Sequence, residues 1–343
     1  MISAEWIAFI IEKLILISLV FTGTLVIAMY TTLAERKFAA FFQDRIGPNR
    51  AGPFGLLQPL ADGLKFFFKE EFFPEKSNKF LFLLGPSLAM IAAVMTLAVL
   101  PWGNTLFLFG REVALQITDL NIGVLYLFGV VSLGVYGIMI GGWSSNNKFS
   151  LLSTVRASSQ MISYELAMAL ALGTLVMTTG TLSLREIVLF QHGAHWNIFF
   201  QPLGFLIFIV CAYAETNRTP FDLAECEAEL IGGYHTEYSS MKLGFYLFAE
   251  YINLFIASVV MAALYFGGFN FPFVSQLGFS HNWMTLLGVA IFFVKISFFM
   301  FLFIWVRWTV PRFRYDQLMR LGWKILLPLA IINALVTGFW LLI

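Results

Sequence analysis

The stretch from Ala214 to Tyr238, AETNRTPFDLAECEAELIGGYHTEY, lies between two long apolar segments and carries Glu215, Asp222, Glu225, Glu227, Glu229 and Glu237, with Arg218 among the first of them. Thr219, Pro220 and Asp222 read as N-cap, first helical position and N3 acid of a short helix that Gly232 and Gly233 would end. On such a helix Asp222, Glu225 and Glu229 share one face at spacings of three and four, while Glu227 points elsewhere. A solvated acidic loop would also explain the charge. A fully wet loop, however, has little use for Phe221, Leu223, Leu230 and Ile231 interleaved with its acids.

The surroundings of this stretch decide the class. Of 343 residues, 59% are hydrophobic and 12% charged, against about 25% charged in a soluble domain. The chain therefore reads as an all-α polytopic integral membrane protein. A net charge of +1 says nothing of nucleic acid or acidic partners. Cys211 and Cys226 have neither iron–sulfur nor zinc spacing, and His192, His195, His235 and His281 lie scattered, so no bound metal or redox centre is expected. His192 and His195 read as part of a polar loop. Neither a G-x-G-x-x-G nor a P-loop is present, so no nucleotide site is expected. The amino-terminal MISAEWIAFIIEKL lacks a basic region and a cleavage site, and its apolar segment reads as a retained spanning helix.

A spanning helix needs about 20 apolar residues. Eight segments qualify, at about 7–33, 80–100, 120–142, 156–177, 196–214, 243–266, 283–305 and 323–342, within one membrane domain over residues 1–343. The fifth is the weakest, because Pro202 shortens it. Arg36, Lys37, Arg45, Arg50, Lys65, Lys69, Lys76, Lys79, Lys148, Arg156, Arg218, Lys242, Arg307, Arg312, Arg314, Arg320 and Lys324 fall in one set of connections, and only Arg111 and Arg185 in the other. That asymmetry makes the connections after the first, third, fifth and seventh segments cytoplasmic and turns both termini outward.

The first connection is too long for a turn. From Phe54 to Glu70, Leu56, Leu57, Leu60, Leu64, Phe67 and Phe68 share one helical face and Asp62, Lys65 and Lys69 another. This is the pattern of an amphipathic helix in the headgroup plane, either an anchor or the lip of an opening to the lipid. Gly47, Pro48, Gly52, Pro53 and Gly55 would let the backbone turn before it.

Ionisable residues inside spanning helices are costly and mark candidate functional positions. Glu165 lies about 14 Å along the fourth segment, after a polar run containing Ser158, Ser159, Gln160, Ser163 and Tyr164, and Glu250 about 10 Å along the sixth. Lys295 is central in the seventh. Glu12 and Lys13 read as a local pair and Asp119 as an outer boundary residue. A structural ion pair between helices explains Glu165, Glu250 or Lys295 singly as well as function does. Together with the acids after Glu215 they form a string of titratable groups, which proton or cation movement needs.

Four long motifs carry a family resemblance: ERKFAAFFQDRIGPNRAGPFGLLQPLADGLKFFFKE, RASSQMISYELA, AETNRTPFDLAECEAELIGGYHTEYSSMKLGFYLFAEY and IWVRWTVPRFRYDQLMRLGWKILLP. In this order they resemble the quinone-chamber membrane subunit of respiratory complex I, the proton-pumping NADH:quinone oxidoreductase, over nearly the whole chain. The resemblance implies a translocase subunit that docks the quinone-reducing peripheral arm and the other membrane-arm subunits, in a bacterial inner membrane or a mitochondrial one. It implies quinone, ubiquinone or menaquinone, as substrate, with no flavin, haem, cluster or NADH site and no catalytic residue on this chain. Glu35, Arg36, Arg45 and Asp62 would border the quinone tunnel, and Arg218, Phe221, Asp222 and Glu225 would line the chamber end. Tyr164, Glu165, Glu215, Glu227, Glu229 and Glu250 would belong to the proton path. A membrane subunit of a hydrogenase or of a ferredoxin- or deazaflavin-linked complex is the nearest competing reading, though the long first connection argues against it. A stand-alone cation transporter would also explain buried acids, but neither inverted repeats nor matched broken helices are visible.

Overall fold

A computed structural model describes residues 4–108, 110–193, 195–225, 227–272 and 280–342. Among them, seven helices are long and apolar enough to cross a membrane. Helix α1 (Ala4–Phe42) continues past the expected boundary near Leu33. Its apolar stretch ends there, but LAERKFAAFF contains good helix formers and no Gly or Pro, so the hydrogen-bonded turns carry on. That extension lifts Glu35 and Arg36 onto a rigid rod. A glycine- and proline-rich turn leads to α2 (Gln58–Phe68), whose Leu60, Leu64, Phe67 and Phe68 point away from the protein. The amphipathic helix read from the sequence is thus present, and its Asp62 is tied back to Arg36 at 2.6 Å.

Asn78 caps α3 (Lys79–Thr96) by accepting from Phe80 and Leu81 N–H. A short hairpin that the sequence reading did not foresee, β1 (Thr105–Leu108) and β2 (Arg111–Ala114), joins it to α4 (Gly123–Ser144). Helices α3 and α4 meet at bare backbone. A Cβ at Gly85 would lie 2.7 Å from Gly141 Cα, and one at Gly141 would run into the Tyr246 hydroxyl. Small residues in this seam allow the close approach.

Helix α5 (Lys148–Thr179) starts on an Asn147 cap and ends at Gly180, whose φ of 73° suits glycine. Short helices α6 (Leu184–Phe190) and α7 (Asn197–Phe200) precede α8 (Pro202–Glu215), which Pro202 opens at its first turn. The fifth expected segment is therefore split at Gln201–Pro202, leaving a shorter apolar helix of 14 residues.

The acidic stretch is not the helix its caps suggested. Residues 216–225 are irregular, and among the described residues that follow, the short helix α9 (Glu227–Leu230) and a 3-10 turn at Gly233–His235 are the helical pieces. Tertiary partners override the local signal: the Ala224 carbonyl accepts from Ser153, the Pro220 carbonyl from Phe313 N at 3.1 Å, and Arg218 and Asp222 are drawn to separate ion pairs. Asp222, Glu225 and Glu229 consequently share no helical face.

Helix α10 (Ser240–Tyr265) is the centre of the bundle, buried almost continuously from Leu254 to Tyr265. It is followed by α11 (His281–Thr309), α12 (Tyr315–Arg320), a π-helical turn at Leu321–Leu326, and α13 (Leu327–Leu342). The last crossing thus begins at Tyr315, ahead of the expected Trp323. Among the described residues Lys295 pairs with no acid, and its ammonium lies 5.0 Å from the Trp196 ring centre. Its ammonium donates to the carbonyls of Phe266, Gly268 and Asn270 at 2.7, 2.8 and 2.6 Å.

Candidate functional site

Arg218 is the hub of a buried charge cluster. Helix α8 stops at Thr216, Asn217 takes a left-handed turn with φ of 49°, and Arg218 N bonds back to the Tyr213 carbonyl, so the side chain enters the bundle. There its Nη1 donates to Glu35 Oε2 at 2.8 Å. Its Nε lies 2.8 Å from Glu250 Oε1, an ion pair without hydrogen-bond alignment, and its guanidinium sits 4.5 Å from the Tyr251 ring centre. Glu35 also accepts from the Tyr251 hydroxyl at 3.0 Å and pairs through Oε1 with Arg307 Nη1 at 2.5 Å. Burial acts against the Arg218 charge, but Glu250 and then Glu35 more than offset it, so Arg218 remains a cation. Two arginines and two carboxylates balance. Removing any one would strand a buried charge, at a cost of about 3–5 kcal/mol.

Around this hub the loop sets Asp222, Glu225 and Phe221. Asp222 pairs with Arg312 at 2.9 Å, while its other oxygen finds no hydrogen-bond partner among the described residues. Burial pushes its carboxyl up to about 6; Arg312 opposes this and Glu250 adds to it. Glu225 accepts from the Tyr234 hydroxyl at 3.1 Å and lies 3.7 Å from His235 Nδ1. Burial, then Glu250 and Asp222, push Glu225 upward, although a side chain still 20% exposed feels less of this than full enclosure would impose. Phe221 stacks on Phe313 at 5.6 Å and leans on Tyr164 at 5.7 Å.

Glu215 ends α8 one turn before the hub. Both its carboxylate oxygens are buried and without a hydrogen bond among the described residues. It lies between two cavities of about 40 Å³ each. Tyr234, Tyr246, Glu250 and Asn253 line one; Leu127, Phe208 and Asn253 line the other. Each holds about two or three waters by volume. Glu165 is half-buried, accepts from Ser132 Oγ at 3.0 Å, and interacts electrostatically with Glu215.

The expected site residues thus divide. Glu35, Arg218 and Glu250 form the hub; Phe221, Asp222 and Glu225 surround it, and Glu215 and Glu165 continue from it. Arg36 and Asp62 form a separate pair at the α1–α2 joint. Arg45 is exposed and bonds only locally, to Gln43 at 2.8 Å. Glu229 is exposed and pairs with Arg156 at 2.7 Å. Tyr164 donates to the Leu318 carbonyl at 3.0 Å, and the Glu227 side chain lies outside the described residues. The sequence reading missed Arg307, Arg312, Tyr234 and Tyr251. Arg307 carried a signal, since its nearest acid in the sequence is Asp316, nine residues on.

Residues 14–338 match the family described as NADH dehydrogenase. The chain belongs to that family. Among its relatives, an H-type subunit of the NADH-quinone oxidoreductase of Cytophaga hutchinsonii is 67% identical, covering 98% of each chain. The H-type subunit of the same enzyme in Flavobacterium johnsoniae is 64% identical over 96% of this chain and 95% of its own. The one from Leptospira biflexa is 52% identical, over 87% and 86%. The resemblance carried by the four motifs is thereby shown, and the chain is a membrane component of an enzyme, an NADH dehydrogenase.

Proposed function

We propose that this chain forms the wall and inner end of a quinone tunnel in an NADH:quinone oxidoreductase of the bacterial inner membrane, and passes the consequence of quinone reduction to a proton path. The observation that carries this reading is the Arg218 hub, a neutral but highly polar knot that joins α1, α10 and α11 to the acidic loop and borders the water-sized space reaching Glu215. Helix α8 spans about 21 Å at 1.5 Å per residue and, with α7 ahead of it, makes an eighth crossing. Both termini then face outward, and the hub lies on the cytoplasmic side, where the peripheral-arm subunits dock.

The outward apolar face of α2 rests in the headgroup plane, and the α1–α2 joint at Arg36 and Asp62 borders the opening to the lipid. Ubiquinone or menaquinone enters there and reaches the Phe221, Asp222 and Glu225 region. Reducing a quinone to a quinol takes up two electrons and two protons, which changes the charge facing Asp222 and Glu225. A proton gained or lost there alters Glu250, which either holds Arg218 or turns to the cavity it shares with Glu215. Glu215 and Glu165 extend the line toward the neighbouring membrane-arm subunits.

The test is to tag the chain at low expression, solubilise membranes in mild detergent and assay what accompanies it. Recovery with a flavin and iron–sulfur assembly that oxidises NADH with quinone is expected. Recovery with a nickel-containing hydrogenase would contradict the proposal.

A further inference from the structure

We infer that the π-helical turn at Leu321–Leu326 is the joint by which the Phe221–Asp222 loop is mechanically tied to the helix bearing Glu165, with Trp323 and Pro328 as its positioning residues. The inference rests on the proposed function and deepens it.

The turn has a local cause. Pro328 has no N–H to give the Lys324 carbonyl, and its ring crowds that carbonyl, so the turn before it widens rather than closing as an α-helix. Its position is what gives it consequence. On its amino-terminal side, residues 312–318 are clamped to the site: Arg312 to Asp222, Phe313 N to the Pro220 carbonyl, and the Phe313 ring to Phe221. The same segment is clamped to α5, through Tyr315 to Ser159 at 2.9 Å and the Leu318 carbonyl to Tyr164. Within the turn, Trp323 Nε1 donates to Ser163 Oγ at 3.0 Å, and Gly322 lies against Tyr164, leaving a Cβ only 3.2 Å from the ring. On its carboxy-terminal side, α13 is pinned by Asn333 to Thr174 and by Thr337 to Gln201.

Both ends are therefore fixed, and the π turn takes up the register between them. Each residue of register moved through it would shift the site-side segment by about 1.5 Å and turn it by about 100° relative to α13. Such a movement would pull on Asp222 at one end and on Ser163 and Tyr164, the neighbours of Glu165, at the other. A turn that a proline keeps from closing as an α-helix is where such a shift of register would be taken up.

The experiment uses the assembled complex in sealed membrane vesicles, with Pro328→Ala and Trp323→Phe made separately. NADH oxidation with ferricyanide checks the peripheral arm, and protons moved per quinone reduced is the readout. Pro328→Ala lets the turn close as an α-helix, and Trp323→Phe releases it from Ser163. In both, protons per quinone should fall by about threefold or more, with quinone reduction kept within about twofold. An unchanged ratio in both assembled variants would overturn the inference. Quinone reduction without proton movement in the unmodified complex would strike the proposed function first, and the inference with it.

Discussion

Arg218 and Lys295 are two cations set among apolar helices, and they are held in opposite ways. Lys295 spends its three donors on three backbone carbonyls of one loop. Carbonyls carry no formal charge, so that arrangement serves to pin the chain between α10 and α11. Arg218 is held by two carboxylates, Glu35 and Glu250, and its Nη2 has no hydrogen-bond partner among the described residues. Its hold therefore rests on the balance of charge. Depth in the membrane alone does not separate the two; the chemistry of the partners does.

The largest expected effect is that of Arg218→Met, which takes Glu250 from its cation and leaves Glu35 to Arg307 and Tyr251, and should cost about 3–5 kcal/mol. Membranes should then contain little assembled complex, read by native gel and by NADH oxidation with quinone. Full assembly would mean that the hub is not what ties the loop to α1 and α10. Lys295→Met is expected to be milder, leaving buried carbonyls unsatisfied at about 1–3 kcal/mol. The melting temperature should drop while protons moved per quinone stay unchanged, and a changed ratio would place Lys295 with Arg218. The smallest effect is a pH slope. Asp222 has a folded pKa pushed from 3.8 up to about 6 by burial, partly opposed by Arg312. The folded protein therefore holds this proton more tightly than the unfolded chain, and the Asp222 contribution to stability falls as pH rises from about 4 to about 6. Asp222→Asn should flatten that slope and remove an inflection near 6 from the activity profile. An unchanged profile would mean that Asp222 does not titrate in turnover.

Much of this was legible in the sequence because hydropathy and amphipathic periodicity are local. Seven long helices, α2 and the Glu12–Lys13 pair, at 3.9 Å, follow from them. The acidic loop defeated local reading. Thr219, Pro220 and Asp222 look like a helix start, yet Asp222 is held by Arg312, 90 residues away, and Arg218 by Glu35, 183 residues away. Tyr251 was invisible as a site residue for the same reason, since only the folded bundle brings it to Glu35. The π turn escaped because Pro328 reads equally well as an ordinary residue near the start of a helix.

The central claim is that Glu215, buried between two small cavities, relays what happens at the Arg218 hub. Its most direct test is protons moved per quinone reduced in vesicles carrying Glu215→Gln, beside Glu12→Gln as a control on the same complex. A fall of up to about thirtyfold in protons moved per quinone is expected for Glu215→Gln with assembly intact, and no change for Glu12→Gln. Equal ratios in the two variants would contradict it, and would make Glu215 a buried acid without a part in the path.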